Sequence, residues 1–152
     1  MKKTFMLLSI ILIGLAGCGT GDSGEESQKT QLEEPPSLTV RVGEHEFKAL
    51  EGGYDWEIDH GDGTSTGFHA DAASPPQMVK SEAMIKVKSD NKIDLTFEVD
   101  PERFDVYIWD DEGVTESRVD LDLAKRSGPN IFEVVATWDQ GQGSYAFKLD
   151  IE

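Results

Sequence analysis

From Ser37 onward, apolar residues recur at every second position of the chain. Leu38, Val40 and Val42 alternate with Thr39 and Arg41. Ile85 and Val87 alternate with Lys86 and Lys88, and Ile93, Leu95, Phe97 and Val99 with Asp94, Thr96 and Glu98. Phe104, Val106 and Ile108 follow Pro101. Phe132, Val134, Ala136 and Trp138 make another series, and Tyr145, Phe147, Leu149 and Ile151 make the last. Successive side chains of a strand point to opposite faces, so this spacing predicts strands with one face in a core and the other in water. The breaks carry turn residues: Ser89-Asp90-Asn91 as a short hairpin connection, Asp110-Asp111-Glu112-Gly113, Ser127-Gly128-Pro129-Asn130 and Asp139-Gln140-Gly141-Gln142-Gly143. Only 76–83 and 121–126 read as short helical turns, and neither is long enough to be stable alone. Short strands between such turns predict an all-β antiparallel sandwich over 37–152 rather than a βαβ fold.

The first 36 residues lack this alternation. Met1-Lys2-Lys3 is basic, an apolar run over 5–15 is broken only by Ser9 and Gly14, and small residues follow in Leu15-Ala16-Gly17-Cys18. That order is the pattern of a secretory signal peptide, here 1–17. The run falls short of the about 20 residues a membrane span needs. Residues 19–36, GTGDSGEESQKTQLEEPP, show no apolar period around the lone Leu32. They predict a disordered acidic tether with a typical reach of roughly 20–25 Å, stiffened at its end by Pro35-Pro36.

Leu15-Ala16-Gly17-Cys18 resembles the lipobox of bacterial lipoproteins. The resemblance implies a diacylglyceryl group on the Cys18 sulfur, cleavage just before Cys18, and anchorage at the outer face of the cytoplasmic membrane. One acyl chain anchors marginally and two or more anchor stably, at about 0.8 kcal/mol per buried CH2. Cys18 is the only cysteine. An internal disulfide is therefore excluded, and a lipidated Cys18 leaves no thiol for catalysis or metal binding.

Charge narrows the partners. The chain carries 14 basic and 30 acidic side chains, a formal net charge of −16. Removing 1–17 takes away Lys2 and Lys3 and no acid, leaving 12 basic and 30 acidic groups, a net −18. A field of that sign argues against nucleic acid and anionic headgroups as direct partners and is compatible with a cation or a basic partner. The expected partners are the membrane, through Cys18, and a protein or cell-wall component.

The stretch from Val134 to Phe147, together with Gly52-Gly53-Tyr54-Asp55-Trp56 and Ser74-Pro75-Pro76-Gln77-Met78-Val79, resembles small Bacillus-type lipoproteins. The resemblance spans roughly 37–152. It implies an immunoglobulin-like β-sandwich and a Gram-positive host, and it implies no activity. Some of those proteins have cysteines flanking the Trp segment. This chain has Asp55 there, so no disulfide carries over.

Asp59-His60-Gly61-Asp62-Gly63-Thr64-Ser65-Thr66-Gly67 is the most suggestive stretch for chemistry. Asp and Gly alternate, as in loops that turn carboxylates and carbonyls onto a hard cation. The glycines fall where an EF-hand needs ligands. Trp56 followed by Gly-Asp-Gly-Thr also resembles a PKD domain, though Trp56 stands two residues too far upstream. Asp59, His60, Asp62, His69 and Asp71 are weak candidates for a metal set, because their spacing matches no helix or hairpin pattern; no metal or other cofactor is expected. The serines lack a Gly-x-Ser-x-Gly elbow, and adjacent acids such as Asp110 and Asp111 say little among 30. Tyr54, Trp56, Tyr107 and Trp109 are candidates for an outward aromatic binding surface. The reading is a non-catalytic, lipid-anchored binding module. Its alternatives are a cation- or carbohydrate-binding PKD-like module using loop 59–71, and a small cell-envelope hydrolase.

Overall fold

A computed structural model describes residues 31–152; the expected signal segment, Cys18 and most of the expected tether lie outside the described residues. In chain order the elements are β1 (Leu38–Val42), β2 (His45–Lys48), β3 (Leu50–Asp59), β4 (Ser65–Ala70), α1 (Pro75–Met78), β5 (Ile85–Val87), β6 (Ile93–Phe97), β7 (Arg103–Trp109), β8 (Val114–Ser117), β9 (Gly128–Trp138) and β10 (Gly141–Ile151). Single 3₁₀ turns at Val79–Ser81 and Leu123–Lys125 occupy the two places where short helical turns are expected.

The strands form an all-β sandwich. One sheet has the order β2-β1-β6 and the other the order β4-β3-β10-β9-β7-β8. The run β8-β7-β9-β10 repeats the C′-C-F-G order of an immunoglobulin variable-type sheet. β5 lies parallel to the end of β10, where β3 has left it. The β9–β10 hairpin pairs without a break from Gly141 opposite Trp138 to Ile151 opposite Gly128, and it is the spine of the larger sheet.

The expected alternation places the core. Leu38, Val40 and Val42 from one sheet meet Val106, Ile108, Phe132, Val134, Ala136, Tyr145, Phe147, Leu149 and Ile151 from the other, all buried. Phe132 and Phe147 stack at 4.9 Å. At one end, Phe97 packs edge-on to both Trp138 and Tyr145, and Trp138 packs edge-on to Trp56. Aromatic pairs in such edge geometry add about 0.5–1.5 kcal/mol beyond their buried area.

Three expectations are corrected. Ser89-Asp90-Asn91 does turn tightly, with Asn91 donating its N–H to the Lys88 carbonyl at 3.0 Å. It is no hairpin, however, because β5 and β6 belong to different sheets and the turn carries the chain across the sandwich. Val99 and Phe104 are 41% and 43% exposed rather than core, since both sit at the open end where β6 gives way to β7.

The third correction concerns the tether. Residues 31–36 lie on the domain as a strap, so ordered chain begins before the boundary expected at 37. Gln31 exchanges two hydrogen bonds with the Asp59 backbone, at 2.7 and 2.8 Å. The Leu32 carbonyl accepts from the Trp56 indole N–H at 3.0 Å and from Gln140 Nε2 at 2.9 Å, while its own N–H donates to Gln140 Oε1 at 2.8 Å. The lone Leu32 packs against the core, and Pro36 is buried. Gly143 leaves room for this strap, because a Cβ there would come within 3.0 Å of Pro35.

The last bolt is the buried Tyr145 hydroxyl, which donates to the Pro36 carbonyl at 2.5 Å. Burial, and behind it the charge of Glu51, pushes the phenol well above its ordinary value, so it stays a donor. Tyr145→Phe strands a buried carbonyl and is expected to cost about 1–2 kcal/mol. The expected reading is a lower denaturation midpoint at unchanged slope, with faster protease cleavage near 31–36.

Candidate functional site: a groove on the outer face of the larger sheet

The outward side chains of the larger sheet are not uniformly polar. β9 presents Ile131, Glu133 and Val135 opposite its core face, and all three are half-buried. Something must therefore cover part of this face. α1 and the turn after it pack across β3, β9 and β10, with Pro75 and Val79 buried. Between this cover and β7 lies an open groove of about 440 Å³.

Its floor is Glu133 and Val135 of β9 with Gln142 and Ser144 of β10. Trp109 of β7 stands on one side, and Tyr54 and Asp55 of β3, His69 of β4 and the segment 70–75 stand on the other. Gly53 lets that segment approach, because a Cβ there would come within 3.0 Å of the Ala70 carbonyl oxygen. Ser144 Oγ donates to the Gly53 carbonyl at 3.1 Å and ties β10 to β3 beside the bulge between Gly143 and Tyr145.

Glu133 is the central polar group. Its carboxylate accepts the Trp109 indole N–H at 2.7 Å, and no ion pair involves it among the described residues. Burial raises its pKa above the ordinary carboxylate value, and the bond from Trp109 offsets part of that rise. The Glu133–Trp109 bond holds the indole across the strand boundary, and Tyr107 is paired with Glu133 in the register of β7 and β9.

The four aromatic candidates do not form one surface: Tyr54 shares the phase of Trp56 on β3 and packs against the core. Trp109 lines the groove, Tyr54 borders it at the edge where β3 passes, and Tyr107 is half-buried on β7 next to it. Trp56 is corrected: it is 1% exposed and packs in the core against Trp138. It occupies an inward position of β3, and its indole N–H is spent on the strap.

The candidate metal residues do not converge. Asp59, His60 and Asp62 sit at the exposed tip of the β3–β4 hairpin. His69 and Asp71 sit at the other end of β4, where they contact each other at 3.0 Å. The tip carboxylates serve their own backbone. Asp59 Oδ1 accepts from Gly61 N–H at 2.8 Å, and Asp62 Oδ1 accepts from Thr64 N–H at 3.0 Å and from its hydroxyl at 2.6 Å. The bonds from Thr64 hold the Asp62 carboxyl below its usual range. His60 Nε2 is 2.8 Å from Thr66 Oγ1. Among the described residues, no three His, Cys, Asp or Glu side chains gather as a metal set. These are turns closed by Asp side chains, which such sequences favour for local reasons.

Glu133, Gln142, Ser144 and, apart from Asp71, the 70–75 wall are absent from the sequence-level candidates. The one sequence signal for them is Ile131 and Val135, apolar residues in the outward phase of β9. No family model, curated protein or solved structure matches the chain.

Proposed function

We propose that the chain is a lipid-anchored protein at the outer face of the cytoplasmic membrane whose sandwich is a non-catalytic binding module, and that it meets its partner in the groove beside Trp109. The single observation that carries this is the groove itself. Strands β3, β7, β9 and β10 set Trp109 beside the hydrogen-bonding groups of Glu133, Gln142 and Ser144, with the segment 70–75 as a wall. Aromatic anchors in a partly desolvated recess are where binding energy concentrates. The anchor reading rests on the Leu15-Ala16-Gly17-Cys18 sequence. The non-catalytic reading is supported by how the groove's polar groups are engaged: Ser144 bonds a backbone carbonyl, and His69 pairs with Asp71.

The test compares wild type with Trp109→Ala, both full chain in a non-ionic detergent, as baits for envelope proteins of the host. A partner held by wild type is expected to be retained at least about tenfold less by the variant, the loss of one anchor. Equal retention by a variant with an unchanged melting curve would overturn the assignment to this groove.

A further inference from the structure

We propose that the free edge of β4 binds a second copy of this chain, the two β4 strands pairing antiparallel across a two-fold axis at Gly67. This surface is separate from the groove and its partner. Charge singles it out. Every other strand contains at least one Asp, Glu, Lys or Arg, whereas β4, Ser-Thr-Gly-Phe-His-Ala, contains none. Yet β4 ends the larger sheet, with β3 on one side and no strand on the other among the described residues. Sheet edges are ordinarily guarded by charges, because a bare edge is a template for another strand.

The backbone supplies the register. The His60 N–H donates to the Thr64 carbonyl at 2.9 Å, and the Glu57 N–H donates to the Gln140 carbonyl at 2.8 Å. Alternation along an antiparallel ladder then turns the backbone groups of Thr66, Phe68 and Ala70 toward β3. Those of Ser65, Gly67 and His69 are left on the open edge. Gly67 stands in the middle of that row, and its own chain gives no reason for a glycine. Its φ lies outside the left-handed region, and no atom of the described residues lies within 4 Å of a Cβ built there. A glycine inside a strand weakens it, and it marks a place where another backbone comes close. Phe68 is paired with the buried Trp56 in the inward phase, but the three-stranded smaller sheet leaves it 43% exposed.

A second β4 meets each of these features. With Gly67 opposite Gly67, Ser65 falls opposite His69 of the copy and Thr66 opposite Phe68. Each edge-facing pair exchanges two backbone hydrogen bonds. The two Phe68 residues become diagonal neighbours at about 7–8 Å, within reach of aromatic rings. Charge also favours a copy over another protein. A charged segment finds no counterion on β4, and two chains of formal net charge −16 repel wherever their acids face each other. Along this seam the acids stay apart. Glu57 lies opposite Gly67 on β3, so it stands three strand spacings, about 14 Å, from its counterpart. The screening length at 0.15 M salt is about 8 Å. Asp55 and Asp59 of the copy are held apart in the same way. One strand makes a small interface, so the dimer is reversible, and both grooves open on the same face of the joined sheet.

The test is sedimentation equilibrium of the full chain in density-matched non-ionic detergent, with wild type, G67K and G67E. Each variant sets a like charge directly opposite itself on the axis, and nothing crowds that Cβ within the chain. Wild type is expected to dimerise reversibly and more tightly as salt is raised, and each variant at least about tenfold more weakly. An equimolar mixture of G67K and G67E is expected to regain wild-type affinity, because opposite charges then meet across the axis. Wild type that stays monomeric up to about 1 mM, dimerisation unchanged in both variants, or no recovery in the mixture would overturn the proposal. If a variant loses its melting transition, amide exchange on wild type decides. The Ser65, Gly67 and His69 amides are expected to gain protection as protein concentration rises, and protection independent of concentration overturns the proposal. A monomer that still retains a Trp109-dependent partner would refute the dimer and leave the binding-module reading standing.

Discussion

Trp56→Ala is expected to lower the unfolding free energy by about 3–5 kcal/mol, a large share of what a domain of this size possesses. The indole is 1% exposed and packs edge-on to Trp138 at 5.6 Å, at the end of the core where Phe97 and Tyr145 also meet. Removing it leaves a cavity among rigid rings that cannot all close inward. The polar loss is smaller. The Leu32 carbonyl, which accepts from Trp56, keeps its bond from Gln140 Nε2 at 2.9 Å. Trp56→Phe, which retains a ring and loses only the N–H, is therefore expected to recover more than half the loss. Urea unfolding followed by circular dichroism measures both. A cost below about 1 kcal/mol for the alanine variant would mean that Trp56 is a surface residue after all.

Cys18→Ala is expected to abolish incorporation of labelled fatty acid and to move the protein out of the detergent phase on phase partition. Cys18 lies outside the described residues, so this rests on the sequence alone. The effect should be all or none. Each buried methylene contributes about 0.8 kcal/mol, so acyl chains of a dozen or more carbons hold a protein far more tightly than any surface contact this acidic domain makes. A chain starting at Gly19, exported by an unrelated signal, controls for an uncut leader. Fatty-acid label on the alanine variant, or detergent partition of the Gly19 form, would refute the anchor.

Sequence alternation reveals the strands whose core-facing residues are apolar and whose outward residues are mostly polar. β1, β6, β9 and β10 alternate in sequence and bury their inward residues, save half-buried Leu95, while Ala146 of β10 is buried from the outer side as well. β3 was not legible, because Leu50-Glu51-Gly52-Gly53-Tyr54-Asp55-Trp56 reads as turn formers and acids. Gly53 is there because the chain after β4 passes close to it, a tertiary reason that leaves no local pattern. Alternation is also silent about which sheet a strand joins. β5 and β6 are separated by one tight turn and yet pair with β10 and β1 respectively. The groove was hidden for the same reason. Trp109 is visible as an outward aromatic, but its partner Glu133 is 24 residues away in sequence and becomes a neighbour only through the β7–β9 pairing. Leu32 looked like noise in a polar linker because its receptor, the Gln140 side chain, is 108 residues away.

The strap also sets a height. With lipid on Cys18, the distance from membrane to domain is spanned by the 13 peptide units that lead to Gln31, not by a leash running to residue 36. Fully drawn out, 13 peptide units reach at most about 45 Å. Gln31 leaves the sandwich beside Asp59, at the hairpin-tip end, while Tyr54 lies five residues back along the same strand, roughly 17 Å further from the exit. On the proposed anchorage through Cys18, the groove would meet only what passes within about 60 Å of the bilayer. Cutting the Gln31, Leu32 and Tyr145 bonds would lengthen that radius without altering the site, which makes the strap a ruler whose setting is written in hydrogen bonds.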